Sequence, residues 1–460
     1  MRKSHTLTNS QIHRYGRHLV LPPFGVDAQT RLVTSSVLIV GVGGIGSSAA
    51  LYLASSGVGT IGLLDHDYVD VSNLHRQIIH CEKNQGKLKV DSAVERLKEL
   101  NSTCTYVKHP VQLSTKNALE IVSLYDVVVD ATDNVTTRYI LNDSCVLSKR
   151  PLVSGAAVGF DGQLSVYNFK NSPCYRCRFP RPPRRGSVAS CSDAGVLGPI
   201  PGLVGVLQSI ETIKVLTGIG SSMGGRIGIF DGMDARFMVM KLNERRKDCE
   251  VCGVGEPNSS PENKVGNVRT SKAQHEKRFS IKSMKDTLNF LRYYGLDDGM
   301  GEEDSNNALQ CPFEVSRRGR QDNSKVPGNT DKHMAIQFNH ISCADFYNGL
   351  WKNIGCGKVA NTEAYLFLDV RPKHQYNICS LPLPFQSLPF DEFVAQKTSF
   401  FDMHLQDSAK EVYVYTICRR GVASQKAAKL LVDWGFKNVY NIAGGLEQWQ
   451  KDVDSNFPLY

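Results

Sequence analysis

Two CxxC pairs constrain the fold of this chain more than any other feature of its sequence. Cys174-Tyr-Arg-Cys177 and Cys249-Glu-Val-Cys252 stand about seventy residues apart, and this paired spacing predicts one tetrahedral zinc ion per chain that joins two distant segments. Four thiolates would leave no open coordination position, so we expect a structural site. The alternatives are a redox CxxC motif and a set of buried free cysteines. The redox alternative is weaker because loop residues flank both pairs.

Length, composition and charge indicate a soluble cytosolic protein with more than one domain. The chain has 460 residues, of which 41% are hydrophobic and 22% charged. No apolar run approaches the roughly eighteen residues of a membrane span, and no signal-peptide core precedes the first motifs. Thirteen cysteines without an export signal are expected to stay thiols or metal ligands in the reducing cytosol. The basic residues behind the formal charge of +9 are scattered, which favours a solvated surface or an acidic protein partner over direct nucleic-acid binding.

Strands and helices alternate in the first half of the chain. Residues 35–42, 60–64 and 126–130 have the pattern of buried strands, and residues 47–56 and 87–100 have that of helices. This alternation predicts an α/β fold with a doubly wound Rossmann-like sheet and a ligand at the carboxyl ends of its strands.

A glycine-rich turn, Gly41-Val-Gly-Gly-Ile-Gly46, follows the first strand. Its glycines permit a tight turn that lets backbone N–H groups approach a phosphate at the start of a helix. Asp65 lies where an acid binds a ribose, so this much fits NAD as well as ATP. The run Ser72-Asn-Leu-His-Arg76-Gln77, with Lys87 and Lys89 beyond it, adds cationic and amide groups that a triphosphate needs more than a dinucleotide does. The sequence therefore favours ATP.

Asp133 and Asn134 follow another buried strand. Oxygen ligands of this kind suit Mg²⁺, so the pair is expected to position that ion and the α-phosphate. The alternative is that Asp130 and Asp133 only cap the helix that follows.

Several motifs together resemble the ubiquitin-activating superfamily, and within it the adenylyltransferases of molybdopterin and thiamin synthesis. They are Arg14-Tyr-Gly-Arg17-His, Gly41-Val-Gly-Gly-Ile-Gly46, Asp65-His-Asp67, Ser72-Asn-Leu-His-Arg-Gln77, Asp130-Ala-Thr-Asp-Asn134, Pro173-Cys-Tyr-Arg-Cys177 and Cys191-Ser-Asp-Ala-Gly-Val-Leu-Gly198. The resemblance covers about residues 10–253. It implies ATP-dependent adenylation of the C-terminal glycine of a ubiquitin-like sulfur-carrier protein.

The resemblance also implies the residues that carry this reaction. ATP would be bound by Gly44, Asp65, Ser72, Asn73, Leu74, His75, Arg76, Lys89, Asp133 and Asn134. Arg17 would reach the nucleotide of the neighbouring subunit in a homodimer. Arg76 and Lys89 would stabilise charge at the α-phosphate, while Asp133 would hold the Mg²⁺ beside the leaving pyrophosphate.

Cys191 stands apart from the paired cysteines, after the basic stretch from Arg181 to Arg185. Neighbouring positive charge favours a thiolate, so Cys191 is a candidate nucleophile. The resemblance places here the superfamily's transfer cysteine, which would form a thioester or resolve an acyl disulfide. An inert structural cysteine is the alternative.

A second thiol, Cys418, follows an apolar strand at residues 412–417 and precedes Arg419-Arg-Gly-Val-Ala-Ser424. A turn and a helix start would direct N–H groups at its sulfur, which stabilises a thiolate or persulfide. The segments Leu368-Asp-Val-Arg-Pro372, Cys418 to Ser424 and Ala443-Gly-Gly-Leu-Glu-Gln-Trp449 resemble the rhodanese sulfurtransferases over about residues 334–460. Asp369 and Arg371 are expected to have supporting roles. The segment 381–390 departs from the usual family pattern.

The two resemblances divide the chain into an adenylating domain at residues 10–253, a linker at 254–333 with room for one helix at 279–294, and a rhodanese domain at 334–460. This is the arrangement of the eukaryotic adenylyltransferases and sulfurtransferases of molybdenum cofactor synthesis and tRNA wobble-uridine 2-thiolation. It implies two catalytic cysteines, Cys191 and Cys418. It also implies a carrier, namely the small subunit of molybdopterin synthase or a ubiquitin-related modifier, and a cysteine desulfurase or other persulfide donor. The alternative function is a conjugation-type activating enzyme with a thioester on Cys191 and a C-terminal domain that only recruits partners.

Overall fold

The computed structural model describes residues 5–183, 195–253, 279–296, 338–351, 365–381, 385–395, 412–458 and 460. The chain divides into two compact units. The first consists of Arg31–Ser316, and the second combines Met1–Thr30 with Arg317–Tyr460.

An eight-stranded sheet forms the centre of the first unit. Its strands are β1 (Ser36–Val40), β2 (Thr60–Leu64), β3 (Thr105–His109), β4 (Val127–Asp130), β5 (Leu152–Val158), β6 (Asp161–Tyr167), β7 (Arg226–Asp231) and β8 (Arg236–Lys241). In the order β3-β2-β1-β4-β5-β6-β7-β8, the pairs from β3 to β5 are parallel and those from β5 to β8 antiparallel. The predicted Rossmann-like arrangement is thus present in the parallel half, but the sheet as a whole is mixed.

Helices connect the parallel strands of this sheet. In chain order the helices up to the second CxxC pair are α1 (Asn9–Leu19), α2 (Gly25–Thr34), α3 (Gly44–Ser56), α4 (Lys89–Leu100), α5 (Ala118–Ser123), α6 (Val135–Leu147), α7 (Tyr175–Arg178) and α8 (Pro199–Thr217). The last is long and apolar enough to be compared with a membrane span, yet half of that window is buried in the protein. A Cβ on Gly205 of α8 would overlap the carbonyl oxygen of Ile45, because α8 crosses α3 closely. It is a core helix.

A helix within the predicted linker packs onto the first unit. This helix, α9 (Met284–Tyr293), begins at a capping box in which the Ser283 hydroxyl and the Asp286 carboxylate satisfy each other's backbone N–H groups. Phe290 is fully buried in the core cluster that also contains residues of α6, and the Thr287 hydroxyl donates to Asp143 at 2.8 Å. The expected linker helix is confirmed, and its apolar face is part of the first unit's core.

The second unit contains a five-stranded parallel sheet. Its strands are β9 (Asn339–Ile341), β10 (Tyr365–Asp369), β11 (Gln386–Ser387), β12 (Tyr413–Ile417) and β13 (Asn438–Ile442), in the order β11-β10-β12-β13-β9. Its helices are α10 (Cys343–Phe346), α11 (Lys373–Tyr376), α12 (Phe390–Ala395), α13 (Val422–Asp433) and α14 (Gly445–Asp452). The strand predicted at residues 412–417 is confirmed here as β12, which begins one residue later. The unusual segment 381–390 supplies β11 at the sheet edge.

Candidate active sites and cysteine cluster

The glycine turn between β1 and α3 has a backbone that only glycine allows at two positions. Gly41 has a φ of +90°, and a Cβ there would lie 2.7 Å from the carbonyl oxygen of Ala131. A Cβ on Gly46 would overlap the carbonyl oxygen of Gly41. These two glycines let β1 and β4 end side by side while α3 starts directly above them. The N–H groups at the start of α3 therefore border the space beyond the strand ends.

Asp65 and His80 hold the turn in place. The Asp65 carboxylate accepts hydrogen bonds from the N–H groups of Val42 at 2.8 Å and Asp67 at 2.9 Å. His80 Nε2 bonds to the carbonyl of Val42 at 3.0 Å, and its Nδ1 lies 2.9 Å from the Ser92 hydroxyl. Burial lowers the pKa of His80, so the ring is neutral at pH 7 and donates through Nε2. His80 was missed from the sequence. Its role depends on the burial of the ring and on two hydrogen bonds, and neither corresponds to a sequence motif.

A cavity of about 550 Å³ opens at the carboxyl ends of the parallel strands. Most of the predicted ATP residues line it, namely Gly44, Asp65, His75, Arg76, Lys89, Asp133 and Asn134. The volume is in the range of ligand pockets for drug-sized molecules. The sequence and the structure therefore agree on where a nucleotide would bind.

Ser72, Asn73 and Leu74 are not among the lining residues of this cavity. They form a short 3₁₀ turn, Val71–Asn73, which the Asp70 carboxylate caps by accepting from the Ser72 N–H at 2.8 Å. The Asn73 side chain accepts from the Arg76 guanidinium at 2.8 Å. In the structure this turn positions Arg76, which does line the cavity.

Lys89 forms an ion pair with Asp67 at the rim of the cavity. Its ammonium lies 2.7 Å from the Asp67 carboxylate, and its side chain is only 7% exposed. Burial alone would raise the pKa of Asp67, but the hydrogen bond and the charge of Lys89 outweigh burial and lower it below the ordinary value. A fixed, dehydrated ammonium at this position is well suited to bind phosphate oxygens.

Asp133 and Asn134 have different surroundings although they are adjacent. The Asn134 side chain caps α6 by accepting from the Thr137 N–H at 3.2 Å, whereas the exposed Asp133 carboxylate lines the cavity. Asp130 accepts from the Thr132 and Ser154 hydroxyls at 2.7 Å. The capping interpretation of Asp130 and Asp133 is therefore wrong, since the cap is Asn134.

Two further residues line the cavity, and of these Arg138 was missed from the sequence. Arg138, buried on α6, donates to the carbonyls of Thr132 at 2.6 Å and Gly155 at 2.8 Å, so it fixes the segment before α6. Gln77 is 4% exposed, and its side-chain carbonyl oxygen has no hydrogen-bond partner among the described residues. A cationic side chain one turn into a helix that follows Asp133-Asn134 is the signal that would have pointed to Arg138.

The four paired cysteines converge in the first unit. Cys174 Sγ lies 3.8 Å from Cys177 Sγ and 3.6 Å from Cys249 Sγ, and Cys177 Sγ lies 3.4 Å from Cys252 Sγ. Hydrogen bonds with Cys177 and Cys249 raise the pKa of the Cys174 thiol. Among the described residues, these four thiols form a cluster whose ligand atoms all lie within 4.8 Å of one another. The spacing predicted from the sequence is therefore realised as a compact Cys₄ cluster that is able to hold a metal ion.

Cys418 lies in the turn between β12 and α13. Its sulfur accepts from the Gly421 N–H at 3.1 Å and from the Ser424 hydroxyl at 3.3 Å. Gly421 has a φ of +83°, which aims its N–H back at the sulfur and starts α13. A Cβ on Gly445 would overlap the carbonyl oxygen of Cys418, so the turn packs directly on the start of α14. This arrangement provides the donors that stabilise a sulfur anion.

Asp369 and Arg371 form a buried ion pair with a shortest distance of 2.6 Å. The Arg371 guanidinium also donates to the Tyr460 hydroxyl at 2.5 Å and to the carbonyl of Cys379 at 2.8 Å. These contacts brace the segment after β10 against the end of the chain, which agrees with the supporting roles expected from the sequence.

Two predicted residues remain outside these described sites. Cys191, with Arg184 and Arg185 of the basic stretch before it, lies outside the described residues, so its role stays a prediction. Arg17 lies on α1 in the second unit. Its contact with the nucleotide of a neighbouring subunit also stays a prediction.

Comparison with known proteins gives matches over both units. The ThiF family model matches residues 15–251, and the model of the rhodanese-like domain matches residues 348–452. The adenylyltransferase and sulfurtransferase MOCS3-2 of Zea mays is 40% identical over 456 residues, which cover 99% of this chain and 82% of the relative. The MOCS3 protein of Dictyostelium discoideum is 36% identical over 480 residues, covering 100% of this chain and 99% of the relative.

This chain belongs to the MOCS3 family. As a member of that family it is an enzyme with two activities, adenylyl transfer in the ThiF region and sulfur transfer in the rhodanese region. Among solved structures, a crystal structure of E. coli MccB with MccA-N7isoASN has a TM-score of 0.48 and 23% identity, covering 52% of this chain and 74% of that chain.

Proposed function

We propose that this MOCS3-family enzyme adenylates the C-terminal glycine of a ubiquitin-like sulfur carrier and then converts it to a thiocarboxylate. The observation that carries this proposal is the presence, in one chain, of a strand-end cavity lined by the glycine turn and a Cys418 turn built to hold a sulfur anion. The carriers would be the small subunit of molybdopterin synthase and a ubiquitin-related modifier. The products would serve molybdenum cofactor synthesis and tRNA wobble-uridine 2-thiolation.

The adenylation step uses the charges around the cavity. ATP binds with its phosphates toward the start of α3, Arg76 and Lys89, while the unpaired Gln77 oxygen accepts a hydrogen bond from the nucleotide. A carboxylate oxygen of the carrier attacks the α-phosphorus, and pyrophosphate leaves with the broken bond's electron pair. Arg76 and Lys89 are placed to stabilise the charge that develops there.

Mg²⁺ would neutralise the leaving pyrophosphate when bound with ATP. The ligand atoms of Asp65, His66 and Asp67 lie close enough together to hold an ion, but Asp65 already accepts from two backbone N–H groups and Asp67 pairs with Lys89. Asp133 is exposed and lines the cavity, so it is the carboxylate most available to the ion. We keep Asp133 as the proposed ligand.

Sulfur transfer then proceeds at Cys418. A cysteine desulfurase or another persulfide donor loads Cys418, and the terminal sulfur of the persulfide attacks the acyl carbon of the adenylate. AMP leaves, and the carrier is joined to Cys418 by an acyl disulfide. Attack of the Cys191 thiolate on the Cys418 sulfur releases the thiocarboxylate and forms a Cys418–Cys191 disulfide, which a thiol reductant returns to two thiols.

The Cys₄ cluster fits a structural zinc ion. Zinc–sulfur bonds of about 2.3 Å in a tetrahedron place neighbouring sulfurs about 3.8 Å apart. The sulfur–sulfur distances of 3.4 to 3.8 Å are close to that value. The ion would link the segment before the basic stretch to the segment after β8. It would supply no chemistry to the reaction.

We also propose that the enzyme works in the cytosol as a homodimer in which Arg17 of one subunit reaches the nucleotide of the other. The support for this part is the resemblance of the Arg14-Tyr-Gly-Arg17-His motif to the superfamily.

The function is tested by weighing the carrier after incubation of the full chain with ATP, a persulfide donor and a purified ubiquitin-like carrier. We expect the mass change of one oxygen replaced by sulfur. Carrier of unchanged mass, with active donor present, would refute the proposal.

A pair of cysteine variants separates the two steps. Cys418→Ala is expected to abolish the mass change while leaving carrier-dependent ATP–pyrophosphate exchange within about twofold, because the adenylation site is complete without this thiol. Cys81→Ala, which removes an exposed thiol of the first unit, should leave both signals intact. Loss of exchange in Cys418→Ala would contradict the division of labour.

A further inference from the structure

The helix α1 packs against the C-terminal sheet domain within the second unit. Its neighbouring residue His5 bonds to the carbonyl of Ile378 at 2.9 Å, and Asn9 donates to the carbonyl of Asn456 at 3.2 Å. A Cβ on Gly16 would lie 2.8 Å from Tyr460 Cα, so the helix backbone touches the end of the chain directly. This close contact fixes one face of α1 and directs the other face toward solvent.

The exposed face of α1 borders a cavity of about 310 Å³ in which cationic side chains outnumber acidic ones. His13, Arg14 and Arg17 line it from α1, while Arg419 and Lys451 line it from the C-terminal domain. Among its described lining residues the one acid is Glu447, which already pairs with Arg419 at 3.1 Å and Arg420 at 2.9 Å. Arg17 is proposed above to reach the nucleotide of the neighbouring subunit, and the other cationic side chains that face this one acidic side chain are Arg14, Arg419 and Lys451.

This cavity lies beside the Cys418 turn. Arg419 is the next residue after Cys418, and the N–H of Glu447 donates to the Arg419 carbonyl at 3.0 Å. The Tyr460 ring covers the Arg419 guanidinium at 4.9 Å and closes one wall. Cys418 does not itself line the cavity, but the next residue, Arg419, does. An occupant of the cavity would therefore lie close to the reacting sulfur.

We infer that this cavity, the α1–Arg419 cavity, binds an acidic segment of the carrier protein while the carrier's activated end reacts at Cys418. The inference rests on the proposed function. Carboxylate side chains suit the site because Arg14 and Lys451 are exposed cations that come from two separate segments of the chain. The carrier is the chosen partner because it takes part in both chemical steps, while the donor takes part in only one.

Charge reversal at Lys451 tests this assignment. Lys451 is exposed, so Lys451→Glu is expected to fold normally. At low ionic strength it should raise the carrier concentration for half-maximal thiocarboxylate formation about five- to tenfold, because a nearby attraction becomes a repulsion. It should weaken binding of fluorescein-labelled octaglutamate to the full chain by a similar factor. Arg14→Glu, on the opposite wall, should do the same.

Lys437→Glu is the matched control. Lys437 is also exposed, but it directly precedes β13, whereas Cys418 directly follows β12. Because these two strands are parallel neighbours, the two residues lie at opposite ends of the strands. Transfer from thiosulfate to cyanide, which needs Cys418 but no carrier, should stay within about twofold in all three variants. Equal effects of Lys451→Glu and Lys437→Glu would overturn the inference.

Two other results are equally decisive. Slower loading of Cys418 by a cysteine desulfurase in Lys451→Glu, with an unchanged carrier step, would assign the cavity to the donor and overturn the inference as stated. If the unaltered enzyme fails to activate any carrier, the proposed function fails, and the octaglutamate measurement still decides whether the cavity binds acidic peptide.

Discussion

At the scale of single residues, we expect adenylation to depend strongly on Lys89. Lys89→Met is expected to lower ATP–pyrophosphate exchange about 100-fold, because it removes a fixed charge from the phosphate end of the cavity. Lys87→Met is the control, since Lys87 is exposed and pairs with Glu95 at 3.0 Å. Similar losses in both variants would show that any lysine of this segment suffices, which contradicts a specific role for Lys89.

The same pair predicts a pH dependence of stability. The pKa of Asp67 is lowered from its ordinary value of 3.8, so the Lys89–Asp67 pair stabilises the fold above about pH 4 and loses that contribution as the pH falls through the lowered pKa. The difference in stability between the unaltered protein and Lys89→Met should therefore shrink on acidification. Urea unfolding at pH 7 and in the acid range measures it.

The candidate residues near the nucleotide cavity could be predicted from the sequence because their order along the chain follows the strand ends. Asp65 directly follows β2, and Asp133 lies just beyond β4. Because β2, β1 and β4 are parallel, their carboxyl ends lie on the same side of the sheet. The local hydrogen bonds of Ser72 and Asn134 could not be predicted. A hydroxyl or an amide next to a ligand-binding residue serves equally well as a contact or as a cap, and only the local backbone decides between them.

At the scale of elements, we expect the Cys418 turn to depend on Gly445, the first residue of α14. Gly445→Ala is expected to reduce thiosulfate sulfur transfer at least tenfold, because the added methyl group would overlap the Cys418 carbonyl and displace the turn. Gly435→Ala is the matched control. Gly435 also has a positive φ, of +100°, but no described atom lies within 4 Å of its added Cβ.

Both alanine variants pay the strain of a left-handed backbone, about 1 kcal/mol. Both variants should therefore lose some thermal stability. Their thiosulfate sulfur-transfer activity distinguishes them, because only Gly445→Ala is expected to lose it. Full sulfur transfer in Gly445→Ala would show that the packing of this turn on α14 does not position the thiol.

The hydrophobic periodicity of the sequence predicted which segments form strands and helices, but it did not predict which of these elements pack together. The buried-strand patterns that became β1, β2 and β4 are continuous apolar runs, as expected for parallel strands covered on both faces. The strand β8 has mostly exposed residues and carries no such signal. Helix α9 was expected within the linker, yet the packing of Phe290 under the Arg176 guanidinium at 3.8 Å depends on a contact with a distant segment.

At the scale of the whole molecule, the two units contain residues that are distant in sequence. The hydrogen bond between His5 and Ile378 joins residues 373 positions apart, and that between Asn9 and Asn456 joins residues 447 positions apart. Local patterns of hydrophobicity hold no information on such pairings. The Cys₄ cluster is different because paired cysteines predict their own long-range contact, and this is why the sequence led to it directly.

This cluster gives a prediction about how far the two units depend on each other. Cys249→Ser is expected to lose zinc binding and carrier-dependent ATP–pyrophosphate exchange. The reason is that the ion would join two segments that are buried in the first unit. Thiosulfate sulfur transfer should stay within about twofold, because Cys418 lies in the other unit. The midpoint of thermal unfolding of the first unit should fall by about 10 °C, which corresponds to a loss of about 4 kcal/mol in a domain of this size.

The control for this prediction is Cys104→Ser. Cys104 lies in the same unit outside the cluster and donates to the carbonyl of Ala54, a bond that a serine hydroxyl preserves. Metal analysis of both variants, together with unfolding scans in the presence and absence of a zinc chelator, separates loss of the ion from loss of a cysteine. Unchanged zinc content in Cys249→Ser would refute the four-thiolate site. Among the described contacts, the hydrogen-bond donors to Cys418 are Gly421 and Ser424, and neither belongs to the cysteine cluster. A parallel loss of thiosulfate transfer would therefore mean that the fold of the rhodanese domain itself depends on the cluster.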